Sequence, residues 1–191
     1  MVPTSLIQFI YSTNLVSRTT AELIAQRFAE KSLTKNEYLL KAGQIADTYL
    51  FLETGYLRAF AEDVSGNDVT TAFYGPGQMV FEVASFFGRS RSRENVQALI
   101  SGWYISYAQL NELFHALPEF REFGRSMLAR GFSELKVRML STITETTEER
   151  YRALLAAHPE LFQQASLKHI ASYLGVTDTS LSRIRASLYK K

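Results

Sequence analysis

At 191 residues, 46% of them hydrophobic and 21% charged, the chain is long enough for one medium domain or two small ones with a real core. It has no cysteine, which excludes disulfides, thiolate metal sites, cysteine nucleophiles and thiol redox sensing. A net charge of +2 argues against a surface coated in nucleic acid but not against a local basic patch. With no signal-like start and no apolar run near ~20 residues, the expected compartment is the cytoplasm, with no membrane partner.

Thr19 is expected to cap a first short helix carrying Leu23, Ile24 and Phe28. From Ser32 the texture turns β-rich. The runs Tyr38–Leu40, Tyr49–Leu52, Tyr56–Phe60 and Val69–Tyr74 are separated by turn signals at Lys41–Gly43, Glu53–Gly55, Ser65–Asp68 and Gly75–Gly77, and Trp103–Ser106 closes the series. Short strands punctuated in this way predict a sandwich or barrel. Tyr107–Leu117 then predicts a helix, and Pro118 with Glu119 suits the first turn of another.

Along that second helix Phe120, Phe123, Met127, Leu128, Leu135, Met139 and Ile143 recur at helical spacing, with Gly124 and Gly131 on or beside the stripe. A helical glycine costs ~1 kcal/mol against alanine, which close approach of a second helix would offset. The alternative is a stripe lying on the chain's own barrel. Thr146 and Glu149 match a capping box for a helix running towards His158 and Pro159. Ser166 can cap the next helix, Gly175 can end it in a left-handed conformation, and Thr177 can cap the last.

The stretch from Ser166 to Leu188, SLKHIASYLGVTDTSLSRIRASL, reads as two helices about a tight turn. Ile170, Ala171 and Leu174 form the inner face of the first, and Leu181, Ile184 and Leu188 that of the second. Asp178, Thr179, Ser180, Ser182, Arg183 and Arg185 are left outside. Between Ser166 and Lys191 the basic residues Lys168, Arg183, Arg185, Lys190 and Lys191 face a single acid, Asp178. Short hydroxyl side chains at a helix start can bond phosphate oxygens, and arginine can grip a guanine edge bidentately. The bland reading is a helical hairpin that only packs or dimerises.

Over almost its whole length the chain resembles the cyclic-AMP receptor / fumarate-nitrate regulator (Crp/Fnr) family, most specifically at IASYLGVTDTSLSRIR. The resemblance implies an α+β protein. It divides into an N-terminal β-roll, a cyclic-nucleotide-binding-like jelly roll, over 1–117, a long dimerisation helix over 118–145, and an all-α helix-turn-helix over 146–191 without an evident wing. It implies a homodimer on double-stranded DNA, with Asp178, Thr179 and Arg183 at base-contacting positions and Thr177 and Ser180 at phosphate-contacting ones; Arg185 belongs to the same outer surface. Asp178 departs from the arginine often found there.

The resemblance also implies a small-molecule effector held by a phosphate-binding cassette, matched here by Phe81–Gly88 and Arg89–Val96. Glu82 takes the ribose-binding position, and the arginine position falls on Ser92 or, one residue along, on Arg93. Phe81 replaces the family's glycine and Glu94 brings negative charge towards a phosphate, so tight cyclic-nucleotide binding is not expected: a cyclic nucleotide stays a disfavoured alternative to some other small ligand or none, and no further cofactor is implied. The run Arg89, Arg91, Arg93 also reads as a solvated basic loop. No catalytic or metal site is expected: His115, His158 and His169 all lie in the helical part, away from the barrel, and a lone histidine such as His115 is more often structural than a haem ligand. A ligand-sensing module that does not bind DNA is the rival to a transcription regulator.

Overall fold

The computed structural model describes residues 3–188. Two short helices, α1 (Thr4–Tyr11) and α2 (Arg18–Ala25), precede the sheet. The first was not foreseen. The second starts ahead of Thr19 because Ser17 is its N-cap, the hydroxyl accepting from the Thr20 amide. Phe28 lies past the end of α2, buried where the chain enters β1.

Five antiparallel strands follow: β1 (Ala29–Leu40), β2 (Thr48–Glu62), β3 (Asp68–Tyr74), β4 (Gln78–Val80) and β5 (Asn95–Ser106). Their order is β1-β5-β2-β3, with β4 also paired to β2. β2 runs through Glu53–Gly55, where the sequence predicts a turn. The register against β5 shifts between Leu52 and Thr54 and Gly55 takes a φ of +80°, so the extra residue is absorbed as a bulge that keeps the strand continuous. The two predicted strands on either side are therefore one.

Tyr49, Leu50, Leu52, Leu57 and Ile105 fill the roll, closed by Leu6 and Ile10 of α1, Ile24 of α2 and Phe86 of α3 (Val83–Gly88). Leu110 and Leu113 of α4 (Tyr107–Ala116) join the same core, as do Phe120 and Phe123 of α5 (Pro118–Thr144). The apolar stripe of α5 is thus divided. Its first turns lie on the roll, whereas Leu128, Phe132, Leu135, Met139 and Ile143 are exposed. Gly124 belongs to the first part: a Cβ there would come within 2.7 Å of the Phe114 ring, so this glycine is explained by packing within the chain and not by a second helix. Gly131 has open space around it.

A second, smaller core follows. α6 (Thr147–Ala157) starts at the expected capping box of Thr146 and Glu149. The single-turn α7 (Leu161–Gln164), which was not foreseen, connects it to α8 (Leu167–Tyr173) and α9 (Asp178–Leu188). Tyr151, Ile170, Ala171, Leu174 and Leu181 are its buried residues, with Phe73 of β3 packed against them. The architecture is the α+β one expected, an antiparallel roll followed by helices. Among the described residues no helix is long and apolar enough to cross a membrane.

Candidate functional site

The α8–α9 hairpin is organised by local chemistry. Ser166 Oγ accepts from the His169 amide at 3.2 Å and starts α8. Gly175, at a φ of +72°, turns the chain, and the Val176 amide donates back to the Ala171 carbonyl at 3.0 Å. Thr177 Oγ1 then accepts from the Ser180 amide at 3.2 Å and starts α9, where Asp178 Oδ1 accepts from the Thr179 amide at 2.8 Å.

With Leu181 fully buried and Ile184 and Leu188 half-buried, the outer face of α9 presents Thr179, Ser182, Arg183 and Ala186 to solvent. Thr177 and Asp178 are exposed at its start and Ser180 is half-buried beside them. Arg185 lies at the edge of that face. It is half-buried, and its Nε is shielded without a hydrogen-bond partner among the described residues. Lys190 and Lys191 lie outside the described residues.

The cassette is arranged differently. Glu82 is the N-cap of α3, one carboxylate oxygen accepting from the Ala84 amide at 3.2 Å and the other from the Ser85 amide at 2.6 Å. Phe81 is half-buried in a cluster of rings, 4.7 Å from Tyr49, 5.8 Å from Phe87 and 6.1 Å from Phe86. Burial among them holds the Tyr49 hydroxyl well above the ordinary phenol range.

Ser92 is buried, its hydroxyl donating to the Glu94 carbonyl at 2.9 Å and accepting from the Glu94 amide at 3.0 Å. Arg93 is exposed. The other two arginines brace the loop. Arg89 donates to the Ala46 carbonyl at 2.8 Å, pairs with Asp47 at 3.2 Å and lies 4.2 Å over the Tyr107 ring, and Arg91 donates to the Gly43 carbonyl at 2.8 Å. The cassette also depends on Ser85, which no sequence signal marks. Its hydroxyl is fully buried, accepts from the Ala46 amide at 2.8 Å and donates to the Ser90 carbonyl at 2.5 Å.

Between β3, β4 and α5 lies a cavity of about 690 Å³, lined by apolar side chains such as Phe9, Met79 and Phe81 and also by Arg130, Glu134 and Arg138 of α5. Among the described residues no three histidine or carboxylate side chains come together as a metal site would need.

Residues 30–116 match the model of the cyclic nucleotide-binding domain family. Transcriptional activator protein Anr of Pseudomonas protegens is 25% identical over 186 residues, which cover 91% of this chain and 75% of that one. Two solved structures share the fold. FixK2 from Bradyrhizobium japonicum superimposes with a TM-score of 0.72 at 21% identity, over 85% of each chain. The c-di-GMP-responsive regulator CLP of Xanthomonas campestris gives 0.71 at 17% identity, over 91% of this chain and 92% of the other. The resemblance read from the sequence is borne out in both sequence and fold.

Proposed function

We propose that this chain is a DNA-binding transcription regulator of the Crp/Fnr type, a cytoplasmic homodimer without catalytic activity, and not a sensing module alone. The observation that carries the reading is the outer face of α9. Thr179, Ser182 and Arg183 stand in solvent on a helix whose opposite side is anchored by Leu181, and α9 makes no use of them in its own packing. On this reading Arg183, Asp178 and Thr179 meet base edges and Thr177 and Ser180 meet phosphate, with Arg185 at the margin.

Dimerisation is assigned to α5. Leu128, Phe132, Leu135, Met139 and Ile143 follow one another at spacings of three and four residues on an exposed face, the pattern of a two-helix seam. Open space at Gly131 suits close approach of a second α5 there.

The sensor is assigned no cyclic nucleotide. Both Glu82 oxygens already accept from backbone amides, Ser92 is enclosed in its own turn, and the Phe81 ring stands where a backbone would have to approach a phosphate. A small effector would instead be an apolar one, in the cavity between the roll and α5.

Selection of binding sites from random duplexes tests the main reading. The expected outcome is an enriched inverted repeat with half-sites about one helical turn apart. Recovery of no sequence above background would favour the DNA-free sensing module.

A further inference from the structure

The roll and the α8–α9 hairpin meet through a cluster of polar and aromatic side chains. Arg58 on β2 has only 9% of its side chain exposed, pairs with Asp68 at 3.6 Å and lies 4.1 Å over the Phe60 ring. Its Nε donates to Thr70 Oγ1 at 2.9 Å, and its Nη1 lies 2.9 Å from His169 Nε2 on α8. Beside it the Thr70 amide donates to Ser172 Oγ at 3.1 Å, and that hydroxyl donates to Thr70 Oγ1 at 2.7 Å. Tyr173 meets the Phe73 ring at a tilt, 5.2 Å between centroids, and lies under the Arg138 guanidinium of α5 at 4.0 Å. Arg138 also donates to the backbone carbonyls of Thr71 and Tyr173.

A guanidinium has donors only, so the contact between Arg58 and His169 requires His169 Nε2 to accept. The ring must then be neutral, with its proton on Nδ1. A second proton would replace the acceptor with a donor and set two cations face to face inside a partly dry junction.

We propose that Arg58 is a positioning residue for the hairpin: it holds α8, and through it α9, in one orientation on the roll only while His169 is neutral, and protonation of His169 releases it. Besides Arg138 and Tyr173, and Tyr38 of β1 acting on Arg58, further titratable or charged groups among the described residues surround the junction. Asp68 on β3 and Lys168 on α8 act on the imidazole directly, Lys35 on β1 and Tyr56 on β2 line the same cavity of about 300 Å³, and Glu160 accepts from the Tyr56 hydroxyl.

Burial first, and then the positive charges of Arg58 and Lys168 against the opposing Asp68, hold His169 below its ordinary value of 6.5. A released hairpin therefore binds its proton at a higher pH than a docked one. Docking is at full strength above 6.5 and is lost as the pH falls from there through the docked value. Each unit by which docking lowers that value weakens the docked state about tenfold once the ring is charged.

The inference rests on the DNA-reading role of α9 for its meaning but not for its test. Because the chain has no cysteine, Val64→Cys at the exposed β2–β3 tip and Ala186→Cys on α9 give two unique spin-label sites. Labelled chains diluted in excess unlabelled protein report the distance within one chain by pulsed electron resonance. The expected result is one narrow distribution at about pH 8 that broadens at about pH 5.5, and a narrow one at both when His169→Gln is added, since glutamine keeps an acceptor near the Nε2 position without titrating. Arg58→Lys, which keeps the charge but loses the fork, should be broad at both.

A wild-type distribution that stays narrow at both pH values overturns the inference, as does broadening that persists in His169→Gln. Binding of the site-selected duplex by the unlabelled chain is measured alongside. Distances that respond as stated in a protein that binds no duplex uphold the docking and refute the DNA-reading role.

Discussion

Of the helix starts with polar caps, Glu82 before α3 lies in the cassette and Thr177 before α9 in the hairpin, and their surroundings differ. Around Glu82 most polar side chains are taken up internally: Glu82 and Ser85 on backbone amides, Ser92 on its own turn, Arg89 and Arg91 on carbonyls of the neighbouring loop. Around Thr177 the caps are satisfied but the next turns leave Thr179, Ser182 and Arg183 in solvent. Buried polar groups must be paired to be tolerated, so a region that pairs them internally has fewer donors and acceptors left for a ligand than one that displays them. The stretch matched to the family's ligand cassette has the first character here, and the proposed nucleic-acid face of α9 the second.

Three substitutions would break or sharpen that contrast. The largest effect is expected at the displayed apolar surface, Phe132→Glu on α5. Phe132 is 70% exposed in the single chain, and the proposed seam would bury the new carboxylate in both copies at once. Self-association should weaken about a hundredfold or more, leaving a species near the 21.7 kDa chain mass in sedimentation. An unchanged dimer would move the seam elsewhere.

Next comes Ser85→Ala in the closed region. It strands the Ala46 amide and the Ser90 carbonyl and should lower stability by roughly 2–3 kcal/mol in a urea melt, with DNA binding intact below the transition. Arg183→Ala should do the reverse. Its loss leaves the melt unchanged and removes ~1–3 kcal/mol of preference for the selected site over random duplex. Equal weakening of both duplexes would reduce the hairpin to an electrostatic anchor.

What could be read in the sequence was whatever is settled within a few residues. The capping box of Thr146 and Glu149, the Ser166 and Thr177 caps and the left-handed Gly175 need only their neighbours. Glu53–Gly55 misled because a glycine with positive φ serves a bulge as well as a turn, and which of them forms depends on β5, far along the chain. Gly124 misled because its reason, the Phe114 ring, lies on another helix. Arg58 and His169 stand 111 residues apart, and no periodicity links a basic residue in a strand to a histidine on a distant helix. Candidate site residues could be listed from their motif, but the internal use of Glu82 and Ser92 became visible only once the backbone amides around them had positions.

The smallest effect expected is none at all, and it tests the closed region most directly: cyclic AMP added to the wild-type chain. A ligand bound only by the folded state stabilises it by about 2.7 kcal/mol when present at a hundred times its dissociation constant. In a chain of this size that would raise the melting temperature by roughly 5–10 °C. The cassette offers a cyclic phosphate no such gain. To admit the phosphate the Phe81 ring would have to leave Tyr49, Phe86 and Phe87. That move uncovers packed apolar surface, and of the three cassette arginines the one not held by the loop, Arg93, is exposed and adjacent to Glu94. Calorimetry should therefore find no saturable sub-micromolar binding, and the melt should not move. Tight binding that disappears in Arg93→Ala would mean that the cassette rearranges around the ligand, and that internal pairing of polar groups is no guide to which site in this fold is open.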